Sequence, residues 1–197
     1  MIVRKEMKKL VHQRDNRGIS IVIGARQVGK STLLDMVRSS LSEPSDLFNL
    51  ENPLHLSIFN DGYISFLRNI RAKIICIDEF QYCKNISSVF KAIHDLNPEL
   101  KIYATGSSSL EIQTHLKESL AGRKLETILY PLSYGEWLSG EARVNQEIAP
   151  LAEDFDIGRP TPEDEVALHA AALRRFFLYG ALRSEEHTSE LQSPNTI

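Results

Sequence analysis

Hydrophobic positions follow two rhythms along this chain. Ile19 to Ile23, Lys73 to Ile77 and Lys101 to Ala104 are short, nearly continuous apolar runs rich in β-branched residues. Each reads as a strand buried on both faces. Leu125 to Tyr130 fits a strand stopped by Pro131. Between them the apolar positions recur every three or four residues, as at Leu33, Leu34, Val37 and Leu41 or across Ile86 to Leu96, which is helical spacing. Residues 1–17 suit a short amphipathic helix through Ile2, Val3, Met7, Leu10 and Val11, closed by an Asn16-Arg17-Gly18 turn. Asp46 to Leu50 fits a further strand, and Pro53 to Phe66 a helix broken by a turn at Asp61-Gly62. Leu110 to Leu120 and Glu163 to Tyr179 also read as helices, while 140–164 is acidic, punctuated by Pro and Gly, and reads as a linker.

Strands alternating with helices imply a parallel sheet covered on both faces. Composition is consistent with this. Of 197 residues, 42% are hydrophobic and 25% charged, as in an ordinary globular protein. A net charge of −3 provides no global field toward nucleic acid or anionic lipid. Two cysteines, Cys76 and Cys83, are too few for a disulfide framework or a four-ligand zinc site and suit a reducing, cytoplasmic setting. The six histidines lack metal-ligand spacing, and no stretch suggests a membrane span or signal peptide.

The end of the chain reads differently. Arg183 to Ser193 corresponds to the in-frame translation of a common sequencing adapter, an eleven-residue match. Residues 183–197 are therefore expected to be an artefact and are set aside from fold reasoning. One arginine against three glutamates in that tail leaves the remainder with a net charge of −1. The natural protein is expected to continue beyond Leu182.

The main chemical signal is Gly24-Ala25-Arg26-Gln27-Val28-Gly29-Lys30-Ser31, a complete G-x-x-x-x-G-K-S between a strand and a helix. Glycines let such a loop wrap tightly, so that backbone N–H groups face phosphate oxygens, and the following helix adds its N-terminus. Lys30 is expected to reach the β- and γ-phosphates of ATP, Ser31 to ligate Mg²⁺, and Thr32 to join the loop in binding the nucleotide. A chance match is expected in roughly one in a hundred chains of this length, and the flanking elements lower that further.

Asp78 and Glu79 follow the strand Lys73 to Ile77, at the edge where open α/β sheets bind ligands. Asp78 is expected to hold Mg²⁺, through water, and Glu79 to orient the attacking water. An isolated Asp-Glu pair would read as a solvated turn; the P-loop upstream changes that balance. An acid beside the magnesium carboxylate favours hydrolysis, and the absence of an Asn-Lys-x-Asp motif favours ATP over GTP. At the end of the next strand, Thr105 or Ser107 is a candidate sensor of the γ-phosphate, weighed equally against a serine-rich helix cap. Arg26 and Arg123 are candidates for stabilising transition-state charge, in cis or across a subunit interface. Gly122 suggests a backbone constraint beside Arg123.

Taken in order, the P-loop, Asp78-Glu79-Phe80-Gln81, Thr105-Gly106-Ser107-Ser108-Ser109, Leu120-Ala121-Gly122-Arg123 and Pro131-Leu132-Ser133-Tyr134-Gly135-Glu136 resemble the prokaryotic AAA-type ATPases. In that family an N-terminal ATPase domain precedes a C-terminal domain of uncharacterised function and nuclease-like fold. Ala25 replaces the usual proline and Phe80 the usual isoleucine, and neither change removes a ligand. The resemblance implies a P-loop NTPase three-layer α/β sandwich with a mainly parallel sheet. It implies an ATPase domain over 1–140, with a linker and the start of a truncated C-terminal domain over 141–182.

Two readings follow. One is a Mg²⁺-dependent ATPase driving an unknown client, with assembly into a homo-oligomer open and no membrane partner. The other is a slow or non-hydrolysing switch in which ATP occupancy is read by DNA or a protein. A small-molecule kinase fits less well, because neither an acceptor pocket nor a phosphate-clamping lid is evident.

Overall fold

The computed structural model describes residues 2–107, 120–143, 151–152 and 163–180. The chain divides into two compact units, one over Glu6–Leu129 and one joining Met1–Lys5 to Tyr130–Ile197.

The larger unit is an α/β sandwich around five parallel strands: β1 (Ile19–Gly24), β2 (Ser45–Asn49), β3 (Ile74–Asp78), β4 (Lys101–Ser107) and β5 (Lys124–Leu129). Their order across the sheet is β2-β3-β4-β1-β5, so β4 separates the two strands that carry the P-loop and the carboxylates. The helices of this unit are α1 (Glu6–His12), α2 (Lys30–Ser40), α3 (Pro53–Asn60), α4 (Tyr63–Asn69) and α5 (Ile86–Leu96).

Alternate side chains on each central strand feed two separate cores, as the two-residue period of a strand requires. Ile19, Ile21 and Ile23 of β1, Ile75 and Ile77 of β3, and Ile102 and Ala104 of β4 pack with Phe59, Phe66 and the α5 residues Ile86, Val89, Phe90 and Ile93. Val22, Ile74, Cys76 and Tyr103 point the other way, toward Leu10 of α1 and Leu33, Leu34 and Val37 of α2. Burial on both faces is why these strands read as continuous apolar runs. The break expected at Asp61-Gly62 separates α3 from α4, with Gly62 at φ 89° and Asn52 capping α3 through its side chain. The strand that ends in the Thr-Gly-Ser segment runs to Ser107, three residues longer than its apolar run suggests.

In the smaller unit, α6 (Tyr134–Glu141) and α7 (Glu163–Arg175, continuing as a π-helical turn over Phe176–Gly180) bury Trp137, Leu138, Leu151, Ala172 and Phe176 together. Helix α6 was not expected from apolar spacing. Its signal is the capping box Ser133-x-x-Glu136, in which each side chain bonds the other's backbone N–H. Arg4 lies beside Glu136 at 3.4 Å, and Lys5 N donates to the same carboxylate at 3.0 Å. Burial works to raise the Glu136 pKa, but the bonds from Ser133 and Lys5 and the Arg4 charge hold it below the ordinary value. The helix expected over 110–120 lies outside the described residues except for the fully buried Leu120, as do Ser108, Ser109, most of the expected linker and the adapter-like tail.

Candidate functional site

The P-loop leaves β1 at Gly24 and enters α2 at Lys30. Gly24 is required by a close approach: a Cβ there would lie 2.4 Å from the carbonyl oxygen of Leu129. Two further residues take left-handed backbone, Gly29 at φ 88° and Gln27 at φ 64°. For Gln27 this is an uncommon conformation that carries strain. Alternation between right- and left-handed residues turns successive N–H groups toward one concavity. Gly29, the N-cap of α2, has no side chain to bond the free N–H groups of the helix N-terminus.

Lys30 is only 4% exposed, and its Nζ donates to Ala25 O across the loop at 2.8 Å. Burial pushes the ammonium pKa down; Glu79 and then Asp78 push it back up, with Arg26 adding to the lowering. The lysine therefore sits in the field of both carboxylates. A buried cation resting on a loop carbonyl, at a helix N-terminus flanked by left-handed turns, fits a phosphate chain. The loop from Gly24 to Ser31 would hold it, with Ser31 and Asp78 as the oxygen donors suited to Mg²⁺. Ala25, Arg26, Gln27 and Ser31 are exposed, Val28 is buried against the α2-side core, and Thr32 is half-buried.

On β3, Asp78 is 8% exposed. Its Oδ1 accepts the hydroxyl of Thr105 and the backbone N–H of Glu79, the latter at 3.1 Å. The Thr105 hydroxyl, fully buried, also lies 3.4 Å from Glu79 N as an acceptor. A hydroxyl has one hydrogen to give, and that of Thr105 goes to Asp78. Thr105 thus orients the Asp78 carboxylate. Ser107, at the tip of β4, stands level with Gly24 in the β1–β4 register. The proposed cap role for this serine-rich segment concerns a helix outside the described residues.

Glu79 occupies left-handed backbone at φ 55°, ψ 46°, opening a short 3-10 turn over Phe80–Tyr82. The next residue, Phe80, is fully buried in the core. The Glu79 carboxylate accepts from Nε2 of Gln81, whose Oε1 accepts from Ser107 N at 3.1 Å. Gln81 closes the Asp78-Glu79-Phe80-Gln81 motif, and its spacing alone assigns it no role.

Arg123 lies elsewhere. Its carbonyl accepts from Ile19 N at 2.8 Å, and Lys124 pairs with Ile19, the first residue of β1. It therefore marks the sheet edge opposite the P-loop, roughly 17 Å away at about 3.3 Å per residue of strand. There it grips Asp95 with two bonds, Nε–Oδ1 at 2.8 Å and Nη2–Oδ2 at 3.1 Å, which hold the Asp95 carboxyl far below the usual range, helped by His94. Gly122 takes φ 73°, so the backbone constraint expected beside Arg123 is present.

A family model described as an AAA domain matches residues 16–138. An uncharacterized protein of Haemophilus influenzae is 29% identical over 154 residues, covering 70% of this chain and 38% of its own length. Among solved structures, the ORC1 protein of Aeropyrum pernix, determined in complex with DNA, is similar with a TM-score of 0.51 at 14% identity, covering 93% of this chain and 57% of that one. PCH-2 of C. elegans is similar with a TM-score of 0.52 at 12% identity, covering 87% of this chain and 59% of that one. At such identities the two structures speak to the fold alone. The chain spans less than two thirds of each of these three proteins.

Proposed function

The chain belongs to the AAA domain family and has the P-loop NTPase fold, and from that premise we propose that it binds ATP with Mg²⁺ and hydrolyses it to ADP and phosphate. The observation that carries this reading is the position of Glu79, directly after β3 in left-handed backbone and in the field of the buried P-loop lysine.

In this reading the N–H groups of the P-loop and Lys30 bind the phosphates. Ser31, and the Thr105-oriented Asp78 through water, would hold Mg²⁺, which would neutralise charge on the β- and γ-phosphate oxygens. Glu79 accepts a hydrogen bond from a water in line with the γ-phosphorus. As the oxygen of that water bonds to phosphorus, the bond to the β–γ bridging oxygen breaks, ADP leaves, and the water's proton passes toward Glu79 and solvent. Arg123, held by Asp95 on the far edge, is assigned to a neighbouring copy's phosphates if the protein assembles with itself.

Steady-state phosphate release tests the proposal, measured with and without added DNA. Glu79→Gln should bind ATP as the wild type does and turn over at least 100-fold more slowly, in line with the loss of a positioned base, on the order of 10²–10⁴. Normal turnover in that variant would remove Glu79 from the mechanism.

A further inference from the structure

We propose that Gln81 is a positioning residue for Glu79, tying its carboxylate to the end of β4. The proposal rests on the hydrolytic reading of Glu79 and deepens it. Three observations meet here. Gln81 Nε2 donates to Glu79 Oε2, and Gln81 Oε1 accepts from Ser107 N at 3.1 Å. The amide can have only this orientation, because an ionised carboxylate only accepts and a backbone N–H only donates. The backbone of Glu79 is separately fixed by the bond from its N–H to Asp78 Oδ1 and by its left-handed turn.

Without Gln81, the Glu79 main chain would still be set but its carboxylate would be free to rotate. With Gln81, one oxygen is held and Oε1 is left for a water. The other end of the amide rests on the last residue of β4, which is paired with Gly24 at the root of the P-loop. The acid is thereby referenced to the strand beside the phosphate loop, not only to its own strand. Gln81 touches neither phosphate nor water in this scheme, so its effect is on placement.

Two measurements on the full chain test this. First, ATP affinity and turnover are compared for wild type, Gln81→Leu and Gln81→Glu. Leucine keeps the bulk and removes the amide; glutamate replaces the donor with an acceptor facing Glu79. Both should lower kcat by about 10- to 100-fold, the scale of a small misplacement of a reacting group. ATP affinity should stay within about threefold, marking an interaction that matters for turnover and not for binding. Retained kcat, or a kcat that falls only in step with affinity, would overturn the proposal while leaving the ATPase reading intact. Second, thermal melts without nucleotide are compared for Glu79→Ala, Gln81→Leu and the double variant. A shift of the double variant smaller than the sum of the single shifts supports the bond between the two side chains, and additive shifts would refute it. If the wild type releases no phosphate but the shifts are non-additive, the hydrolytic reading falls and the link between the residues stands.

Discussion

The Phe80 ring fills the space that a side chain at position 106 would need: a Cβ on Gly106 would stand 2.6 Å from Cε1 and Cζ. Phe80 is fully buried, edge-on to Phe90 with centroids 6.1 Å apart. This contact ties the turn after Glu79 to the strand that carries Thr105 and Ser107. Gly106→Ala should lower stability by about 1–3 kcal/mol, the usual cost of overpacking. In a Phe80→Leu background the same substitution should cost less, and urea unfolding of the four proteins measures the difference. Equal costs in both backgrounds would show that Gly106 is needed for some other reason.

Lys30→Met should separate folding from ligand binding. The methionine side chain fits a site that already buries the lysine stem, so the variant should fold with its melting temperature changed by only a few degrees. Excess Mg²⁺-ATP at about 100 times its dissociation constant should stabilise the wild type by about 2.7 kcal/mol. It should leave Lys30→Met unshifted. Thermal melts with and without nucleotide give the answer, and an equal shift in both proteins would exclude Lys30 from phosphate binding.

At the opposite end of β4, Lys101 is 3% exposed, with its Nζ donating to the carbonyls of Gly18 at 2.6 Å and Asn16 at 3.0 Å. The ammonium also lies 5.1 Å from the Tyr103 ring centroid. Burial, assisted by the Arg14 charge, lowers its pKa from 10.5 to about 8. Between those values the unfolded chain binds more protons than the folded one, so the contribution of this group to stability rises with pH. Below pH 8 the folded state carries the full cost of the buried charge. Lys101→Met removes that cost, along with two hydrogen bonds whose loss is independent of pH. The stability of Lys101→Met relative to wild type should therefore fall as pH rises from about 8 to 10.5, read by urea unfolding at each pH. A constant difference would contradict the lowered pKa.

Cys76 is fully buried in the α2-side core, and its thiol pKa is pushed up to about 12 by burial. Burial likewise raises that of Cys83. Because the thiolate is the reactive form, neither cysteine should react with a thiol reagent in the native protein at pH 8, and both should do so in denaturant. Rapid native labelling at Cys76 would require the sheet to open locally.

Much of this architecture was readable from single residues, and the exceptions have a common physical origin. Ile86–Leu96 forms one helix with the bounds its spacing implied, because one apolar stripe meets one core. The P-loop and Asp78 follow from local spacing, since the strand ends deliver them to the same edge. Left-handed Gln27 and Glu79 were not legible, because their residue types disfavour that backbone and only the surrounding packing imposes it. The burial of Lys101 depends on carbonyls 83 and 85 residues away in the chain. Gln81 gained its role from Ser107, on a strand that reaches it only through the fold. The separation of Arg123 from the P-loop has the same origin, since it is set by the pairing of β5 with β1.

The sheet order also imposes an order in time. The P-loop strand and the carboxylate strand are never neighbours, because β4 is inserted between them. A chain emerging from the ribosome would carry the P-loop, then Asp78 and Glu79, with nothing yet to hold them at the proper spacing. Only when Lys101–Ser107 slots between the two does the separation between cation and carboxylates become defined. Until then the nascent chain has both the P-loop and the carboxylates without the distance between them.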